Sequence, residues 1–343
     1  MDCLSGHYQH VSTESRKLIF RSLLPYGGRA VFALLTATIL ASTSYATCRR
    51  AAADLPITIQ DTRPVVGAKI NGEDAKLLID SGSYLSSISS SAAEQYKLQI
   101  GMSASRSTPS AAVVRKFTIA NVDVNNLEFQ VIGNQVTGNQ GSDGNVGLLG
   151  QSFLERWDVE YDLANGMVRL MTDDDCHNTF LAYWVTPGQA YTTMSIHSAS
   201  TKEPLTMGVA YVNGVKIRVT FDTGAPQSVL SLKAAERAGV KFDSAGVVDG
   251  GPTRGVGRNL VKSYIAPFDS FKFENGEEIR HTRLRVADLN MDSDMLLGAD
   301  FFLSHRVFVA NSQSKLYFTY IGGPVFNLMT ASQSQAASQP TTP

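Results

Sequence analysis

Residues 68–94 read AKINGEDAKLLIDSGSYLSSISSSAAE, and residues 210–236 read AYVNGVKIRVTFDTGAPQSVLSLKAAE. At a constant shift of 142, ten of these 27 positions are identical: Ala, Asn-Gly, Asp, Gly, two Ser and Ala-Ala-Glu. A second block repeats further on. VGLLGQSFLERWDVEYD (146–162) matches DMLLGADFFLSHRVFVA (294–310) at a shift of 148, sharing Leu-Leu-Gly, Phe and Val. Two blocks in the same order, at nearly the same offset, imply a duplicated domain.

Each copy reads as β-rich. Asn71-Gly72 and Asn213-Gly214 are hairpin turns, because both central residues of such a turn need positive φ. They join strands Val65–Ile70 to Ala75–Asp80 and Val209–Val212 to Lys216–Asp222. Short helices follow at Ser90–Lys97 and Leu232–Ala238. Further strands are expected at Arg115–Ala120, Leu127–Ile132, Tyr264–Phe273 and Thr282–Ala287. Each copy then closes with Leu-Leu-Gly, a brief helix and two strands: Trp157–Tyr161 with Met167–Met171, and Val307–Val309 with Lys315–Tyr320. Short strands at regular turn spacing point to a small barrel or sandwich.

The chemistry sits where an apolar strand runs into an acid. Asp80-Ser81-Gly82-Ser83 and Asp222-Thr223-Gly224-Ala225 each follow such a strand, and Leu148-Leu149-Gly150 and Leu296-Leu297-Gly298 stand at matching distances downstream. In this the sequence resembles the aspartic proteases, the retropepsin-like clan in particular, over residues 60–322. The resemblance implies an all-β fold of two retropepsin-like β-barrel lobes forming an intramolecular pseudodimer. It assigns Asp80 and Asp222 as the catalytic pair and the two Leu-Leu-Gly segments as braces. Ser81 and Thr223 would hydrogen-bond across the lobe junction.

Two copies make chemical sense. Without a metal or covalent nucleophile, peptide hydrolysis needs one carboxylate to take a proton from water and another acid to polarise the scissile carbonyl. Carboxyls held about 3 Å apart cannot both ionise, so they share one proton and fill both roles. No cofactor is required. The fourth positions differ: a Ser83 hydroxyl can donate to Asp80, whereas Ala225 has nothing to offer Asp222. The expectation is an asymmetric pair with Asp80 the more acidic member. The Gly-rich stretch Asp249–Gly257, with Gly250, Gly251, Gly255 and Gly257, is the candidate flap of the second copy, and Met102–Val114 takes that place in the first. Asp300, after the second Leu-Leu-Gly, reads as a cap for a helix starting near Phe301. Glu94 and Glu236 read as solvated.

The ends of the chain read differently. Four basic residues precede the apolar run Ala30–Ala41, and STSYA follows it, the pattern of a secretory signal peptide cut near Ala46. The run is shorter than the ~20 residues of a membrane span, so a membrane partner enters only if the leader stays uncleaved. A secreted or periplasmic location follows from that reading. Cys48 and Cys176 could pair in an oxidising compartment, and the sequence leaves open whether they do. Residues 48–61 are too few for a typical inhibitory pro-segment but long enough for a strand swapped into the lobe interface. The expected layout is a leader at 1–46, lobes at 47–171 and 205–322, a connector at 172–204 and a Ser/Gln/Pro-rich disordered tail at 323–343.

Composition fits two globular units: 343 residues, 43% apolar, 18% charged, formal net charge −1. The near-neutral balance argues against a nucleic-acid partner, and the Cys and His show no metal-ligand spacing. The expected activity is that of an aspartic endopeptidase, working as a two-lobed monomer on extended polypeptides. The alternative is a non-catalytic peptide-binding or scaffold protein on the same fold, but such a binder needs neither carboxylate.

Overall fold

The protein is seen in a computed structural model that describes residues 49–101, 110–133, 144–173, 179–197, 204–254, 260–289 and 292–328. The leader, Cys48, Cys176, most of the first candidate flap and residues 329–343 lie outside them.

In the first half, the elements are β1 (Arg49–Gln60), β2 (Arg63–Ile70), β3 (Glu73–Ile79), β4 (Ser87–Ser89), α1 (Ser90–Gln95), β5 (Gln99–Ile100), β6 (Ala111–Ile119), β7 (Val122–Ile132), β8 (Gly147–Leu149), α2 (Gln151–Leu154), β9 (Asp158–Asp162) and β10 (Met167–Asp173). After β11 (Thr192–Ser195) the second half repeats them: β12 (Met207–Val212), β13 (Val215–Phe221), β14 (Val229–Ser231), α3 (Leu232–Arg237), β15 (Val248–Arg254), β16 (Leu260–Phe273), β17 (Glu278–Ala287), β18 (Met295–Leu297), α4 (Ala299–Ser304), β19 (His305–Ala310) and β20 (Lys315–Tyr320).

Each half closes a barrel of six strands. The first runs β2-β3-β8-β4-β7-β6 and closes through β6 on β2; the second runs β12-β13-β18-β14-β17-β16 and closes through β16 on β12. Asn71-Gly72 and Asn213-Gly214 make the hairpins, with φ of 51° and 93°, and of 48° and 77°. The short helices start alike, Ser89 and Ser231 accepting the N–H of Ala92 and Ala234. Phe117, Phe129 and Phe153 meet at 5.9–6.0 Å inside the first barrel, and Phe221, Phe273 and Phe301 at 5.8–5.9 Å inside the second. Burial of each ring stabilises the fold by about 1.5–3 kcal/mol.

The closing strands depart from the sequence expectation. Instead of finishing separate lobes, they leave the barrels and form one shared sheet, β11-β20-β19-β9-β10-β1. Strand β19 of the second half pairs antiparallel with β9 of the first, Phe308 opposite Glu160. These strands each carry an alternate apolar face with no barrel position left to fill, and the opposite copy offers the complement: Tyr161 packs on Phe302 at 5.1 Å. Glu160, fully buried, is held there by Arg169 (2.6 Å), Arg306 (2.8 Å) and the Tyr183 hydroxyl (2.7 Å). The 12-residue β1 is not swapped into the lobe junction as expected: its first part pairs with β10 at the end of the shared sheet and its second part with β2 in the barrel, both of its own half.

The chain also stays packed past residue 322. Phe326 is buried with its ring 5.4 Å from Phe271, and the Asn327 N–H donates to Asp300 at 2.8 Å.

Candidate active site

Asp80 and Asp222 each stand one residue beyond a central barrel strand. In both lobes that strand runs parallel to the Leu-Leu segment, Ile79 beside Leu149 and Phe221 beside Leu297. The brace then holds the acid directly: the Asp80 N–H donates to the Leu149 carbonyl at 2.9 Å, and the Asp222 N–H to the Leu297 carbonyl at 2.8 Å. Gly150 and Gly298 complete it. Each lies so close to the opposite arm of its turn (Ser83 and Leu85; Ala225 and Gln227) that a methyl group would collide with backbone. Their N–H groups donate to the hydroxyls of Ser86 and Ser228, at 3.1 and 2.9 Å.

The two turns are tied across the lobes by four buried hydrogen bonds. The Ser81 N–H donates to Thr223 Oγ1 (3.0 Å), and the Thr223 N–H to Ser81 Oγ (3.0 Å). The Ser81 hydroxyl donates to the Phe221 carbonyl (2.8 Å) and the Thr223 hydroxyl to that of Ile79 (2.7 Å). This reciprocal set brings the acids together. Gly82 lies against the Asp222 carboxylate and Gly224 against that of Asp80; a Cβ on either would overlap the opposite carboxylate. Only glycine permits that approach. The two carboxyls act on each other electrostatically.

Their electrostatics follow from the site. Both stay partly open on one side but are otherwise enclosed by protein. Burial, and then the charge of Asp222, push Asp80 up to about 8. Burial also raises Asp222, opposed first by the amides of Ala225 and Gly224, which donate to its Oδ1 at 3.0 and 2.9 Å. Asp80 Oδ1 accepts from the Gly82 N–H at 3.0 Å. Both carboxyls are raised and the pair titrates as a unit. The bond expected from Ser83 to Asp80 is not made. The Ser83 hydroxyl points away from Asp80 and donates to the Leu85 carbonyl at 2.9 Å. Both acids are met by the amides of their own turns, Gly82 and Ser83 at Asp80 and Ala225 and Gly224 at Asp222.

Sequence reasoning missed three neighbours. Buried Gln151 donates to the Ser81 carbonyl (2.8 Å) and to Thr206 Oγ1 (3.2 Å), tying the first turn to the second lobe. The buried Tyr161 hydroxyl lies against Ser81; burial, and then the Asp80 charge, raise its pKa. Arg63, at the start of β2, acts electrostatically on both carboxylates. None carries a motif of its own. Gln151 could have been flagged as a polar residue directly after a brace glycine.

Asp300 does more than cap. It sits in the first turn of α4, buried, and accepts from the Phe301 N–H (2.9 Å), the Ser228 N–H and hydroxyl (2.9 and 2.7 Å) and the Asn327 N–H. Burial still raises its pKa. Ser152 fills the corresponding place in the first lobe and accepts the Ser86 N–H at 2.9 Å. Both residues brace a turn and neither belongs to the acid pair. Glu94 and Glu236 are exposed.

Gly250 and Gly251 lie on β15, at the base of the β15–β16 hairpin rather than at its tip. The register shifts between Asp249 and Gly251, and Gly251 has φ +72°. Buried Arg285 holds this base by donating to the Gly250 carbonyl and to Ser263 Oγ, both at 2.7 Å. Gly255 and Gly257 fall outside the described residues. In the first lobe β5 and β6 form the matching arms. A cavity of about 810 Å³ lined by Lys69, Lys97, Arg115 and Lys116, among others, opens on the first lobe, and none of its lining residues belongs to the acid-bearing turns.

Two family models match this chain, one in each half. Residues 66–156 match the family described as "gag-polyprotein putative aspartyl protease", and residues 209–301 match "Aspartyl protease". Among solved structures, the chain is similar to Basic 7S globulin from soybean, at 11% identity over 78% of this chain and 94% of that one, with a TM-score of 0.45. It is also similar to a retropepsin-like aspartic protease from Rickettsia conorii, at 18% identity over 38% of this chain and 90% of that one, with a TM-score of 0.28. The search of curated proteins finds no match.

Proposed function

With two aspartyl protease domains in tandem in one chain, we propose that this protein is an aspartic endopeptidase whose single site is built from one acid of each lobe. The observation that carries this reading is the reciprocal contact at the lobe junction, where the Gly of each turn lies against the other lobe's carboxylate. A binding module gains nothing from forcing two carboxyls together, since the contact costs stability unless a proton is retained.

The proposed chemistry runs on the two carboxyls and water. Asp222, better served by amide donors, is the base that takes a proton from the attacking water. Asp80, which holds the shared proton, donates it to the carbonyl oxygen of the scissile bond as the tetrahedral intermediate forms. As the C–N bond breaks, the proton taken up by Asp222 passes to the leaving amine and a hydroxyl of the collapsing intermediate returns its proton to Asp80, so the pair recovers its one-proton state. Substrates are extended polypeptides lying between the lobes and pairing through their main chain as a strand. The basic and apolar leader adds a setting outside the cytoplasm.

The test is incubation of the full chain with an unfolded polypeptide across the acid-to-neutral range, with fragments read by mass spectrometry. Internal cleavage, lost in Asp80→Asn, supports the reading. Absence of fragments at every pH assigns the protein to the non-catalytic alternative.

A further inference from the structure

The two residues linking β1 to β2 are Asp61 and Thr62, both left-handed, with φ of 47° and 68°. This is the geometry of a two-residue hairpin, which normally takes Asn-Gly or Asp-Gly. A β-branched threonine at positive φ is strained, and strain of this kind persists where surrounding structure enforces it. The enforcing contacts are visible. The Thr62 hydroxyl lies 2.9 Å from the Pro226 carbonyl, in the acid-bearing turn of the opposite lobe, and 2.5 Å from that of Asp61; its single proton is shared between them. On the other flank Asn145 donates to Gln60 Oε1 at 2.8 Å. The next residue, Arg63, opposite Gln60 in the ladder, has a side chain only 15% exposed and lies 3.7 Å from the Asp61 carboxylate.

We propose that Arg63 is a positioning residue for the acid pair, its largely buried side chain held at the lobe junction by a strained hairpin latched to the other lobe's active-site turn. The proposal rests on the reading of Asp80 and Asp222 as one working pair. Among the described residues, the charged and titratable groups acting on that pair are Arg63 from β2 and Tyr161 from β9, with Asp61 acting through its ion pair with Arg63. A fixed positive charge favours the ionised members of the pair. It therefore lowers both titration steps together and places the one-proton window at lower pH than burial alone would. The latch makes that charge depend on lobe closure, because Pro226 belongs to the second lobe and Arg63 to the first.

The experiment is carboxyl-carbon NMR titration of the pair in the full chain, with Asp80→Asn and Asp222→Asn spectra for assignment, so that the readout does not depend on cleavage. In Arg63→Gln both steps should move up by roughly half to one pH unit. Arg63→Lys, which keeps the charge, should move them less than half as far. Asp61→Asn, which suits the left-handed turn and removes the partner of Arg63, should move them slightly down. If the wild-type chain cleaves, both limbs of its pH–rate profile shift upward in Arg63→Gln. Unmoved steps in a folded Arg63→Gln variant, or an equal shift in Arg63→Lys, overturn the proposal. Should Arg63→Gln fail to fold, unmoved steps in Asp61→Asn overturn it in the same way. A wild-type chain with the predicted titration shifts but no cleavage would reject the protease reading and leave this assignment standing.

Discussion

The turn at Asp80 and the turn at Asp222 have nearly superimposable frames and unlike surroundings. Strand, brace and reciprocal hydroxyl bonds recur, yet Asp222 Oδ1 accepts two amides and Asp80 Oδ1 one, and the charge of Asp80 acts on a buried tyrosine, Tyr161. The position matching Tyr161 at the shift of 148 is Val309. A duplicated frame fixes where the acids sit, and the unduplicated neighbours give them unlike surroundings.

The largest disturbance should come from the frame itself. Gly224→Ala puts a methyl into the Asp80 carboxylate. It should destabilise the chain by about 1–3 kcal/mol and cut cleavage by roughly a hundredfold or more. Gly82→Ala should do the same from the other side. Equal losses in thermal melts and in cleavage would confirm that the two contacts are equivalent; a harmless variant on one side would break the symmetry of the frame.

A second, smaller effect concerns pH. Both carboxyls are raised above their ordinary value when folded, so the folded chain binds more protons than the unfolded one above about pH 4. Stability from this source is fully present below the ordinary carboxyl value of 3.8 and is lost as pH rises through about 8. Melting temperature should therefore fall across that window. Asp80→Asn should flatten the profile, and the slope that remains belongs in part to Asp300, which burial also raises. A wild-type profile that rises from pH 4 to 8 would contradict the shared proton.

The smallest effect is expected at Ser83. Its hydroxyl serves Leu85 rather than Asp80, so Ser83→Ala should change stability by less than about 0.5 kcal/mol and leave the pH–activity profile in place. A downward or upward shift of that profile would mean that Ser83 does reach its acid.

How far the sequence could be read is clearest from the ten positions identical between the copies. Ala68 and Ala210 are buried in the barrels, and Asn-Gly turns the hairpins. Asp and Gly build the site. Ser86 and Ser228 hold the brace glycines. Ser89 and Ser231 cap helices whose buried Ala pairs follow. Only Glu94 and Glu236 have no side-chain role visible here. Turn and cap chemistry is local, and so it was legible. The shared sheet was not, because the partner of β9 lies some 150 residues away and nothing in DVEYD names HRVFVA. The absence of a Ser83–Asp80 bond was hidden for a related reason. A hydroxyl beside an acid invites a bond, but Ser83 found a nearer acceptor within its own turn, and the decisive donors were backbone amides that no sequence displays. Arg63 and Tyr161 reach the pair only through folding.

The most direct measurement is kcat/KM for the wild type, Asp80→Asn, Asp222→Asn and the double variant on one unfolded polypeptide. A single shared site predicts that each substitution alone removes roughly a thousandfold or more of the activity and that the double variant is no worse than either. Substantial cleavage by either single variant, or losses that multiply in the double, would show that the two acids do not work as one pair.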